Sequence, residues 1–264
     1  MANPTLHKGQ IAGAEGAAVD AGLQAHMNKV YALMAGAMII TGLFAYVFGS
    51  DLDRLVDHAR QFNTLQGVET LLPVGLLTTL YSSPFVYVLM FAPLAFCFFL
   101  APLMMRASVG AAQICFWAFA AIMGLSLATI FVQFTSASIG QAFFATAASF
   151  GALSIYGYTT QRDLSGFGVF LLMGLLGAIV LSVLNWAFFG FEAFSMAMQM
   201  VVLLASAGLT AYFTQQIKND YLVMREQPGS EQAIEMSAIF GALNLYISFV
   251  NIFISLLSLF GSRE

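Results

Sequence analysis

Charge is what this sequence lacks most. Only 8% of its 264 residues are Asp, Glu, Lys or Arg, against roughly a quarter in a soluble domain, so water is not its main solvent. The few charges sum to 9 − 13 = −4, which removes the electrostatic basis for nucleic-acid binding. Cysteine occurs only as Cys97 and Cys115, each inside an apolar run with no Cys or His nearby. No metal set is expected from them, and both read as buried structural thiols. His7, His26 and His58 lie outside the apolar runs and are too scattered for a ligand set, so solvated side chains are expected. The Walker loop, HExxH, the nucleophile elbow and the dinucleotide glycine pattern are all missing. The apolar runs also hold no His and no Asp for intramembrane proteolysis. Neither enzymatic activity nor a cofactor nor a metal is expected. Residues 1–26 have no continuous apolar h-region, so insertion is expected to be directed by the first span itself.

What is present is hydrophobic, 60% of the chain. A helix needs about 20 apolar residues to cross a hydrocarbon core of roughly 30 Å, because lipid offers no partner for an exposed peptide group. Seven stretches meet that requirement: Val30–Phe48, Ser83–Met104, Ala111–Phe131, Ala142–Tyr158, Phe167–Phe189, Ala193–Ile217 and Ala238–Phe260. The expected fold is an all-α integral membrane protein, with a cytoplasmic N-terminal segment (1–26) and one seven-helix membrane domain (27–264). Under a seven-span count, Lys8, Lys29, Arg106, Arg162, Lys218 and Arg225 lie on the N-terminal side, and Arg54, Arg60 and Arg263 on the other. That asymmetry predicts a cytoplasmic N-terminus and an external C-terminus. Between the first two spans, Leu52, Leu55, Val56, Ala59 and Phe62 follow helical spacing among charged residues. An amphipathic helix within 51–70 is therefore expected, either lying at the interface or packing on the bundle from solvent.

The last span has its own pattern. Ser237, Gly241, Asn244, Ser248, Asn251, Ser255, Ser258 and Ser262 recur at steps of four and three, on one face. Hydroxyl and amide groups facing lipid would go unpaired, so this face is expected to turn inward and place the C-terminal helix at the bundle centre. Ser206, Thr210 and Phe213 of the sixth span offer a comparable seam. Small pairs at close-packing spacing, Ala32 with Gly36, Ala147 with Gly151 and Gly174 with Ala178, read as helix-packing contacts. Asp163, Glu192, Asp220 and Glu235 fall in connections or at helix ends, where solvated roles are expected; Asn185 and Gln199 are deeper and suit interhelical hydrogen bonds.

Four stretches resemble the Bax inhibitor-1 family: Asn28–Gly49, Phe143–Gly168 with its Arg162-Asp163-Leu164 turn, Gly208–Tyr221 and Gly241–Gly261. The resemblance implies seven helices with the last near the centre, no enzymatic activity, and roles in cell-death suppression, calcium leak and membrane-protein quality control. Bacterial members that associate with membrane-bound ATP-dependent proteases make such a complex the implied partner. Charge asymmetry and the absence of a cleavable signal make a bacterial inner membrane the expected location, with an organellar membrane as the alternative. The family's aspartate pair, associated with pH-dependent calcium passage, corresponds here to Phe213 and Ser248. Two carboxylates in a low-dielectric interior share a proton; Phe and Ser do not. The positions therefore carry over without their chemistry. The expected function is regulatory or accessory, through membrane-protein partners. The alternatives are a calcium or cation leak channel with altered or lost pH gating, using Asn244, Ser248, Asn251, Ser255, Thr210 and Ser206 as its conduit, and a transporter for a small neutral solute.

Overall fold

In the computed structural model, backbone is described for residues 4–263 except 66, 83, 101–103 and 105, and side chains from residue 21 onward except at those positions and at 98 and 100. The expected N-terminal segment lies largely outside the described side chains. Among the described residues the helices are α1 (Pro4–Phe62), α2 (Val74–Tyr81), α3 (Phe85–Ala95), α4 (Val109–Leu127), α5 (Ile130–Gln133), α6 (Ser136–Thr159), α7 (Ser165–Leu184), α8 (Glu192–Arg225) and α9 (Glu231–Phe260). Wider π turns extend α3 over Phe96–Leu100 and α7 over Asn185–Phe189.

Six of these helical segments are long and apolar enough to cross a membrane, and α2 with α3 supplies a seventh span if that bent pair is counted as one. The second span is not the straight rod its hydropathy suggests. It turns by 67° between α2 and α3, at Pro84, and Pro93 lies inside α3 just before the π turn. Proline has no N–H to donate and its ring crowds the preceding turn, so the ladder breaks or widens there.

The charged stretch after the first span is not a separate helix. It continues α1, whose Ala21–Phe62 portion of 42 residues is about 63 Å long and overshoots a core of roughly 30 Å. The helix stops at Phe62 because Asn63 takes a left-handed backbone, φ 50°. The loop beyond is tied back by Asp51, a fully buried carboxylate that accepts the Leu72 N–H at 2.8 Å and has the Arg54 guanidinium 3.7 Å away.

The C-terminal helix sits at the centre. Over its best span window 56% of residues are buried, against 11–33% for the other five helices, and it packs on α8, α1, α6 and α4. Tyr246, its largest fully buried side chain, stands edge-on to Phe116 and Phe119 with ring centroids 5.9 and 5.8 Å away. The Thr41 hydroxyl lies 2.8 Å from the Ala120 carbonyl and 2.6 Å from the Tyr246 hydroxyl. A carbonyl only accepts, so Thr41 donates its one proton to Ala120 and Tyr246 donates to Thr41. One polar chain thus joins α9, α1 and α4. At the C-terminal end of α9 the chain docks on the turn before α6, where Ser262 accepts the Thr135 N–H at 3.1 Å and donates to the Ser138 hydroxyl at 3.0 Å.

Close helix approach occurs at glycines other than those the sequence pattern marks. A Cβ on Gly124 would meet the Thr41 carbonyl oxygen at 2.6 Å, and one on Gly157 would collide with the Ala211 backbone, so these two glycines seat α4 on α1 and α6 on α8. Gly36, Gly151 and Gly174 have nothing within 4 Å of such an atom, and Ala32 and Ala147 are exposed. Of the expected small-residue contacts, only Ala178 is buried. Spacing alone does not say which face of a helix looks inward.

The directed Thr41–Tyr246 bond gives an asymmetric expectation. Tyr246→Phe removes a donor but leaves Thr41 bonded to Ala120, costing on the order of 0.6 kcal/mol, typical of a hydrogen bond between membrane helices. Thr41→Val strands the Tyr246 hydroxyl and costs more, about 1–3 kcal/mol. Unfolding titrations in mixed micelles measure both, and equal losses would refute the donor assignment.

Candidate functional site

The polar positions of the last two helices are divided between two environments. Ser206, Thr210 and Thr214 are fully buried, one turn apart on α8. Each threonine hydroxyl donates to the carbonyl four residues earlier, Thr210 to Ser206 at 2.9 Å and Thr214 to Thr210 at 2.8 Å. Thr214 also lies 3.5 Å from the Ser154 hydroxyl, so this row turns toward α6. The Ser206 hydroxyl is buried without a partner. On α9, Ser248 and Ser255 are buried, and Ser255 donates to the Gln199 side-chain oxygen of α8 at 3.2 Å. Asn244 and Asn251 are half-buried.

Phe213 is half-buried and packs against both apolar clusters found among the described residues. It also lines an open cavity of about 760 Å³ at the end of the bundle formed by the α8–α9 connection. Asn244 lines the same cavity, as do Gln216 and Gln232, with Asp220 and Arg106 among its charged residues. The fold therefore brings Phe213 and Asn244 to one cavity, while Ser248 and Ser255 are packed in the bundle interior and Ser206 and Thr210 belong to the row facing α6. Desolvation raises the Asp220 carboxyl above the ordinary range for Asp.

The Arg162-Asp163-Leu164 turn is held from outside itself. Gln215 of α8, a buried residue, accepts the Leu164 N–H at 2.9 Å and donates to the Arg162 carbonyl at 2.8 Å. Asp163 accepts the Ser165 N–H at 2.9 Å, and the hydroxyl and N–H of Ser165 hold its carboxyl below the ordinary range. Asn185 works locally, bonding Phe191 and Ser195 across the α7–α8 turn.

Three residues gain roles that the sequence did not assign. Gln215 and Asp51 are the first two; a polar residue inside an otherwise apolar stretch is the available signal for Gln215. The third is His26. It is not solvated but buried, its ring stacked on Tyr221 of α8 at 4.8 Å, with Nε2 enclosed and without a hydrogen-bond partner. It borders a cavity with Lys29, Glu231 and Glu235, and Lys29 pairs with Glu235 at 3.1 Å. Cys97 and Cys115 are free and half-buried. Among the described residues no three His, Cys, Asp or Glu side chains gather in a way that could hold a metal ion.

Six apolar helices, the buried C-terminal helix among them, and the bent pair define an all-α multi-pass membrane protein. The model of the family described as "Inhibitor of apoptosis-promoting Bax1" matches residues 23–264, and the chain belongs to this Bax inhibitor-1 family. It is 35% identical over 246 residues to the "Inner membrane protein YbhL" of Escherichia coli K12, covering 92% of this chain and 94% of the relative. A Caulobacter vibrioides protein is 35% identical over 251 residues, covering 93% and 92%. The RP147 protein of Rickettsia prowazekii is 32% identical over 245 residues, covering 93% and 92%.

His26 lies one turn before the apolar stretch that starts at Val30, and its pKa is lowered below 6.5, first by burial and second by the neighbouring Lys29 cation. Its neutral form therefore contributes stability that is fully present above pH 6.5 and is lost as pH falls from there through the lowered folded value. Thermal unfolding in detergent between pH 7.5 and 5 should show this loss, and His26→Phe, which keeps a ring against Tyr221, should lessen it. Identical pH dependence in the two proteins would refute the assignment.

Proposed function

We propose that this chain is a non-enzymatic accessory protein of a bacterial inner membrane that acts through contacts with other membrane proteins, a membrane-bound ATP-dependent protease being the partner class. The observation that carries this reading is the aromatic ring of Phe213 beside Asn244 in the end cavity, where the family resemblance leads one to expect a carboxylate. The Thr210 and Thr214 hydroxyls donate to their own helix and neither residue lines that cavity, so they add no ligands to it. Intramembrane ionisable groups are the usual mark of an ion path, and the positions of the titrating pair hold Phe213 and Ser248.

A surface for partners is available on α7. Only 11% of its span window is buried, the lowest fraction of the six, and it exposes Phe167, Phe170, Met173 and Val180. The inner-membrane location is supported by the name of the Escherichia coli relative. A cytoplasmic N-terminus, supported by the Lys and Arg asymmetry, completes the reading.

The second reading, a cation leak with altered or lost gating through Asn244, Ser248, Asn251 and Ser255, draws on the open cavity that Asp220 and Asn244 share. Calcium flux into proteoliposomes separates the two. The natural protein should conduct poorly, and the double variant Phe213→Asp with Ser248→Asp should gain acid-sensitive flux; robust acid-sensitive flux from the natural protein would overturn the accessory reading. Affinity purification in mild detergent should recover a second membrane protein, and a lone monodisperse chain would count against the proposed partner.

A further inference from the structure

Helices α1 and α6 both pack on the central α9 but not closely on each other, which leaves a lateral cleft between them. Two cavities occupy it. The lower, about 640 Å³, has a polar mouth of Gln24, Asn28, Tyr31, Ser154 and Tyr158. The upper, about 250 Å³, is lined almost wholly by apolar groups, including Gly42, Gly140, Phe143, Phe249 and Phe253. Phe249 joins them: its ring lies 5.6 Å from that of Phe150, in the lower cavity, and 5.8 Å from that of Phe143, in the upper. Gly42, Gly140 and Gly151 face this cleft with nothing within 4 Å of where a Cβ would stand.

The dimensions and the charge select one occupant. Gly42 stands 14 residues above Asn28 on one continuous helix, about 21 Å. That matches the distance from headgroup level to midplane, half of roughly 40–45 Å. At the polar end, Lys218 donates to the Tyr158 carbonyl at 3.0 Å and lies 5.2 Å from the centre of the Tyr158 ring. An ammonium group has three donors, and among the described residues Lys218 forms no ion pair. Lys218 does not itself line the lower cavity but is bonded to Tyr158, which does. A cation without an acidic partner at the edge of a polar mouth, beneath an apolar channel one leaflet deep, is complementary to an anionic lipid.

We propose that the α1–α6 cleft is a binding site for a single anionic phospholipid of the leaflet at the N-terminal end of the bundle. Its headgroup sits among Asn28, Tyr158 and Lys218, and an acyl chain runs past Phe249 to Gly42 and Gly140. The site is independent of the α8–α9 cavity and of the accessory reading.

The test uses the full chain purified in a neutral detergent, with lipid retained through gel filtration identified by mass spectrometry. Thermal unfolding is followed with added phosphatidylglycerol or phosphatidylcholine. The natural protein should retain an anionic phospholipid and be stabilised by phosphatidylglycerol more than by phosphatidylcholine. Gly42→Leu with Gly140→Leu fills the channel from two positions where a Cβ meets nothing within 4 Å and should abolish both effects. Lys218→Gln should abolish only the preference for the anionic lipid. Gly174→Leu, on the open face of α7, should change neither. Equal stabilisation by the two lipids in the natural protein, or undiminished retention in the double leucine variant, would overturn the site. Should the double variant not fold, an unchanged preference in Lys218→Gln would overturn it alone.

Discussion

A polar group at bilayer depth has no water to turn to, so each one must find its partner inside the protein or remain unpaired. This constraint shapes the whole bundle. The hydroxyl of Tyr246 reaches Thr41, which reaches the Ala120 carbonyl, and these two bonds fix α9 between α1 and α4 at one height. Because Tyr246 is fully enclosed and set against Phe116 and Phe119, rotation of α9 would break both its polar and its aromatic contacts. Asp51 and Gln215 extend the same logic to the two ends, holding the loop after α1 at Leu72 and the turn at the opposite end at Arg162 and Leu164.

The same constraint bears on function. Hydroxyls that bond their own helix, as Thr210 and Thr214 do, have used the proton that could serve a neighbour, and a row of them is a packing surface. The α8–α9 region therefore differs from a chain of titrating groups, and Phe213 adds a ring to the end cavity that Asn244 also lines. Where the bundle does leave space beside the central helix, between α1 and α6, most of that space is apolar and opens laterally. A lipid meets those conditions; a hydrated ion does not.

Two departures from the linear pattern have definite causes. The second span bends because Pro84 and Pro93 interrupt its hydrogen-bond ladder, and the charged stretch after the first span stays in α1 because no helix-breaking residue occurs until the backbone reverses at Asn63. His26 reads as a polar residue beside Asn28 and Lys29, yet Tyr221, 195 positions away in the chain, covers it.

Hydropathy and the 3.5-residue polar stripe were enough to determine a bundle of membrane helices with the last one central, because lipid permits so few backbone solutions and because an outward polar stripe would be unpaired. The family, too, was legible from local motifs. Which glycines seat helices, which face of α8 its hydroxyls take, and that Asp51, His26 and Gln215 are buried were decided only by tertiary structure. Each depends on a partner distant in sequence, Leu72, Tyr221 and Leu164 for the last three, and spacing along one helix carries no information about the rotation of its neighbour.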